Sequence, residues 1–134
     1  MAEEVKSQQP KAKSQGSVAP IDLRERLLVF AADCLRLGGR LARSTPGRYI
    51  AGQLMRSSAP AGANYMEARG AESRADFVHK LQLALKETKE SQYWLMLAER
   101  GELVPAQALR GLADEADALV RILAKSVVTA KGRK

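Results

Sequence analysis

Residues 56–99 read RSSAPAGANYMEARGAESRADFVHKLQLALKETKESQYWLMLAE, and this stretch decides the fold. Its first part, residues 57–63, consists of small side chains around Pro60. Small side chains let two helices pack at short interaxial distance. Its second part carries Phe77, Leu81, Ala84, Leu85, Thr88, Leu95 and Ala98 at three- and four-residue steps, the stripe of an amphipathic helix. The residues between, 70–73, read as a turn. Ser73 with Asp76 three positions on has the form of a capping box, which starts the helix, and Gly101 is its expected left-handed stop. Val78, Leu83, Trp94 and Leu97 fall partly outside the stripe. An apolar arc that wide predicts a second partner surface, filled by another copy of the chain. Tyr93 and Trp94 are adjacent, so they point to different faces, one into the core and one to a rim or subunit contact.

Working back toward the N-terminus, Thr45-Pro46 announces a preceding helix, a hydroxyl cap followed by proline at the first helical position. Pro60 lies inside it and predicts a bend near residues 56–58, because proline deletes one backbone hydrogen bond and clashes one turn back. Ser57 or Ser58 is placed to take up freed carbonyls. Earlier still, Asp22 and Glu25 form another capping box, with Ile21 as a staple to the first turn. Leu23, Leu27, Phe30, Ala31, Cys34, Leu35, Leu37 and Leu41 then recur at helical spacing up to about residues 42–44. Residues 1–20 are polar and rich in Ser, Gln and Lys, a composition that predicts a disordered tail.

Toward the C-terminus, Pro105 opens a fourth helix. Leu109, Leu112, Ala116, Leu119, Leu123 and Val127 give it a heptad-like seam, and the basic end, residues 131–134, is expected to fray. The expected architecture is all-α, an antiparallel up-down-up-down four-helix bundle over residues 21–130. Length and composition agree with it. The 134 residues suit one domain, 46% are apolar, and Leu and Ala outnumber the β-branched residues.

The net charge is +7, and its distribution matters more than its sum. Between Cys34 and Met66 there are five arginines, Arg36, Arg40, Arg43, Arg48 and Arg56, and no acid. Lys131, Arg133 and Lys134 add a basic C-terminal end. Such clusters suit phosphates, although a solvated basic surface is the plainer reading. Catalytic patterns are lacking. Cys34 is the single cysteine and sits on an apolar stripe; His79 is the single histidine and reads as an ordinary helix residue. No metal-ligand spacing or phosphate-binding glycine loop is present, so no cofactor and no enzyme activity are expected. Glu67 reads as a partly buried carboxylate beside Arg69, able to pair between helices or subunits. No segment has the length of a membrane span or the pattern of a signal peptide, and the expected location is cytoplasmic.

Two runs carry a family resemblance. Residues 53–58 and 61–68, QLMRSS and AGANYMEA, form one; residues 77–87, FVHKLQLALKE, with Glu90 and Tyr93-Trp94-Leu95 form the other. Together they resemble the bacterial four-helix bundle protein family, also called the 23S ribosomal RNA intervening-sequence protein family, over roughly residues 22–128. The resemblance implies a homopentamer, a ring around a central channel, and genes located in insertions within large-subunit ribosomal RNA genes. A similar basic pentameric bundle is an accessory protein to the reverse transcriptase of diversity-generating retroelements, an analogy of fold. The expectation is therefore a non-enzymatic oligomer that binds RNA or DNA through Arg36, Arg40, Arg43, Arg48 and Arg56, with Lys131, Arg133 and Lys134 as flexible anchors. The alternative is a protein-interaction scaffold or accessory subunit without a direct nucleic-acid role.

Overall fold

The computed structural model describes residues 22–132. The expected tail over residues 1–20, the Ile21 staple, Arg133 and Lys134 lie outside the described residues. Four helices follow one another: α1 (Leu23–Leu41), α2 (Thr45–Arg69), α3 (Arg74–Arg100) and α4 (Ala106–Gly132). Each packs on its neighbour in sequence, and α4 returns to α1 with the lightest contact of the four seams. Pairs such as Ser57–Ser91 and Glu67–Lys80 between α2 and α3, and Gln92–Asp117 and Arg74–Ala130 between α3 and α4, fix antiparallel directions. The result is the up-down-up-down bundle.

Local chemistry sets the helix ends. Asp22 accepts a hydrogen bond from the Glu25 backbone N–H at 3.0 Å, and Ser73 accepts one from Asp76 at 3.0 Å. Two ends differ from the sequence reading. The cap of α2 is Ser44 rather than Thr45: Ser44 has extended backbone and its hydroxyl accepts from the Gly47 N–H at 3.1 Å. Thr45 and Pro46 both stand inside the first turn, where a missing N–H costs nothing. At the end of α3, Gly101 keeps a right-handed φ of −82°, and the left-handed residue is Glu102, with φ 56°. The Leu103 N–H then bonds the Ala98 carbonyl at 3.1 Å and the Glu102 N–H that of Glu99 at 3.0 Å, the paired bonds of a Schellman closure.

Helix α2 runs as one helix through Pro60, without a break at residues 56–58. It is held on one side by α1 and on the other by α3. The α2–α3 seam is made of small residues. Ser57, Thr88 and Ser91 are all fully buried there, and Ser58 is fully buried beside Cys34 of α1. The Ser57 and Ser91 hydroxyls meet at 2.7 Å, and Ser57 also reaches the Gln53 and Leu54 carbonyls rather than that of Arg56. Thr88 donates to the Ala84 carbonyl and Ser91 to that of Glu87, so these hydroxyls are bonded, whereas the buried Ser58 hydroxyl meets no partner in hydrogen-bond geometry among the described residues.

Phe30, Leu27, Leu54, Leu95, Leu119 and Leu123 centre the core, with a smaller cluster of Ala68, Leu81, Val127 and Ala130 toward the far end. Cys34 is buried in the main cluster, and burial pushes its thiol up to about 12. Leu35, expected on the core stripe, is instead 59% exposed, because its neighbour Cys34 takes the inward position. Tyr49, Tyr93, Met96 and Leu97 are also exposed, while Trp94 packs half-buried against the core. The adjacent aromatics thus divide as their spacing requires.

Candidate nucleic-acid interface

The α1–α2 connection gathers most of the arginine-rich window. Arg36 and Arg40 stand on the last turns of α1, Arg43 in the connection and Arg48 on the first turn of α2; all four are exposed. The corner is tightly built. A Cβ at Gly47 would lie 1.7 Å from the Leu41 carbonyl oxygen, so only glycine fits where α2 folds back on the end of α1. Arg48 donates to Thr45 Oγ1 at 3.0 Å, which holds its guanidinium over the connection.

Charge pairing separates the arginines. Arg36 pairs with Asp33, one turn back and one residue outside the acid-free window. Arg40, Arg43, Arg48 and Arg56 make no ion pair among the described residues. Arg36 and Arg40 also line a groove of about 510 Å³ between α1 and α4, together with Asp33, Gly111 and Glu115. That groove is not uniformly basic. Glu115 takes a two-pronged bond from Arg26, at 2.7 and 3.0 Å, across the lightly packed seam. This bond to Glu115 raises the Arg26 pKa against the opposing cost of partial burial.

Arg56 lies two turns further along α2, about 12 Å from Arg48 along the axis. Lys131 stands at the opposite end of the bundle, on the last turn of α4. The structure therefore brings Arg36, Arg40, Arg43 and Arg48 together, sets Arg56 beside them and leaves Lys131 apart. The other connection at the same end carries Arg100, which sequence reading left out; Glu99 and Glu102 accompany it there.

The remaining polar residues take structural places. Glu67 is exposed rather than partly buried, and pairs with Lys80 of α3 at 2.6 Å rather than with Arg69. The bond to Glu67 raises the Lys80 pKa. Glu87 is raised by desolvation and then by Glu90, with Lys86 opposing. His79 is exposed. Among the described residues no group of three His, Cys, Asp or Glu could hold a metal ion, and no helix is long and apolar enough to cross a membrane.

The profile of the 23S rRNA-intervening sequence proteins matches residues 28–125, from the first turns of α1 to the later part of α4. The chain belongs to this family. A solved structure from Bacteroides thetaiotaomicron, a protein of unknown function from the S23 ribosomal protein family, superimposes with a TM-score of 0.73. It is 31% identical, and the match covers 78% of this chain and 97% of that one. No curated protein matches the chain. The intervening-sequence family match spans the arginine corner, α2 and α3 and most of α1 and α4, whereas residues 1–27 and 126–134 lie outside it.

Proposed function

We propose that this 23S rRNA-intervening sequence protein is a non-enzymatic, cytoplasmic oligomer that holds RNA or DNA by its phosphates at the α1–α2 corner. The observation that carries the reading is the trio Arg40, Arg43 and Arg48. They are exposed around one connection, Arg40 before it, Arg43 in it and Arg48 after it, with no acid paired to them among the described residues. Arg56 extends the surface along α2. The mechanism is neutralisation of phosphate charge with release of counterions, which is strong, salt-sensitive and indifferent to base sequence. The exposed apolar residues Leu28, Leu35, Tyr49, Met66 and Tyr93 support contact between copies. A ring of copies, the pentamer of the family resemblance, repeats the corner and multiplies a modest affinity. Replacing Arg40, Arg43 and Arg48 together with Ala weakens binding to unrelated RNA and DNA sequences by about equal factors. Unchanged affinity at low salt removes the proposal.

One observation favours a second reading. Tyr49 and Tyr93 are mostly exposed and meet Trp94 edge to face, at 6.0 and 5.0 Å between ring centroids. Aromatic groups shown to solvent on a rigid helix pair are anchors for a protein partner. In the scaffold reading this patch docks another protein and the charge is incidental. A partner that stays bound after nuclease treatment and is lost on Tyr93→Ala favours it.

A further inference from the structure

The end of the bundle away from the arginine corner holds a groove of about 700 Å³ lined by α2, α3 and α4. Its floor is apolar: Leu81 is buried, and Tyr65, Phe77 and Ile122 are half-buried. Its rim is cationic. Arg69, Arg74 and Lys125 are exposed there, and no Asp or Glu lines the groove among the described residues. Charge follows the same order on all three helices. Helices α2 and α4 end here and α3 begins here. Arg69 therefore stands four residues nearer the end than Tyr65, Arg74 three nearer than Phe77, and Lys125 three nearer than Ile122. Each step is about 4.5–6 Å along the helix axis. The groove is thus positive toward the end of the bundle and apolar further in.

The three cations are not equivalent. The Arg74 guanidinium donates to the Ala130 carbonyl at 3.0 Å, which ties α3 to α4 across the outer end of the groove. Arg69 and Lys125 make no ion pair among the described residues. Glu67, one turn of α2 away from that end, is held by Lys80 at 2.6 Å. Two unanswered cations above an apolar floor complement a ligand that brings both a negative charge and an apolar body. The volume is within the range of about 300–1,000 Å³ usual for small-molecule sites. From Arg74 to Leu81 the groove follows α3 for about 10 Å, the length of a medium acyl chain. A phosphate alone would use the charge and leave the floor wet, and a neutral apolar molecule would do the reverse. We infer that the groove binds a medium-chain fatty acid. Its carboxylate lies between Arg69 and Lys125, and its acyl chain runs inward along Phe77, Leu81 and Ile122. This site does not rest on nucleic-acid binding, which is assigned to the opposite end of the bundle.

Ile122 lines the groove, whereas Ile50 packs in the main core near the start of α2. Isoleucine δ1-methyl labelling of the full chain therefore reads the site against an internal control. Titration with decanoate should move the Ile122 signal to saturation and leave Ile50 in place. Affinity should rise about two- to fourfold for each methylene from hexanoate to decanoate, as burial of the chain requires. Decanol has the same chain without the charge and should bind about tenfold more weakly. Arg69→Gln combined with Lys125→Gln alters two exposed side chains and leaves the core intact. It should bring decanoate down to the affinity of decanol and leave decanol unchanged. No Ile122 shift at millimolar decanoate overturns the inference, as does equal movement of Ile50 and Ile122. Equal affinity for decanoate and decanol in the parent chain, or undiminished decanoate binding in the double variant, overturns it too. So does an Ile122 signal that moves with protein concentration alone, which would give the groove to a second copy of the chain.

Discussion

Two connections sit at the same end of the bundle and are built in opposite ways. The α1–α2 corner turns in three residues, is capped by Ser44 and is locked by Gly47 against the Leu41 carbonyl. It displays four arginines, three of them without an acid partner among the described residues. The α3–α4 connection turns through a left-handed Glu102, tucks Leu103 and Val104 against the core and carries Glu99 and Glu102 beside Arg100. One corner is rigid and positive, and the other is strained and mixed in charge. The difference teaches that the basic surface is local to one corner and that its geometry hangs on a single glycine.

The largest expected effect breaks that corner. Gly47→Ala forces a methyl into the Leu41 carbonyl and should cost about 3 kcal/mol in denaturant unfolding. Gly101→Ala, in the other connection, meets the Leu97 carbonyl at 3.2 Å with an ordinary φ and should cost well under half as much. Equal losses would erase the contrast between the two corners. Cys34, on the buried face of α1, gives a second gauge. Its thiol is raised from 9.0 to about 12 by burial, so alkylation at neutral pH should wait for the bundle to open and speed up in Gly47→Ala. The sign for stability follows. A raised folded-state value protects below the unfolded value near 9.0, and that protection is lost as pH climbs toward about 12. Stability should therefore fall more steeply over pH 9–12 in the parent chain than in Cys34→Ala, and parallel curves would contradict the burial argument.

The smallest effect sharpens the other side. Glu102→Gly relieves a left-handed φ that glycine adopts freely, and should stabilise the fold by about 0.5–1 kcal/mol in thermal unfolding. A loss would mean that the Glu102 side chain contributes something beyond its backbone.

The helices and the caps at Asp22 and Ser73 were legible because capping is chemistry within four residues. Ser44 was misplaced by one because two hydroxyl residues stand side by side, and Gly101 because glycine at a helix end usually takes the left-handed position. The arginine corner was half legible. Residues 36–48 fall together because a short connection joins their helices. The neutralising Asp33 lay one residue outside the basic window, and the Glu67–Lys80 pair needed the α2–α3 register. The groove beside Phe77 was not legible, since its lining comes from three helices and depends on how they align.

The central claim is that the α1–α2 corner binds nucleic acid through phosphate contacts. Fluorescence anisotropy of a labelled RNA, titrated over a series of salt concentrations, tests it most directly. Affinity should fall linearly with log salt, and replacing Arg40, Arg43 and Arg48 with Ala should flatten the slope by about 2–3 for each copy engaged. Absence of binding at about 50 mM salt, or an unchanged slope in the folded triple variant, would contradict it.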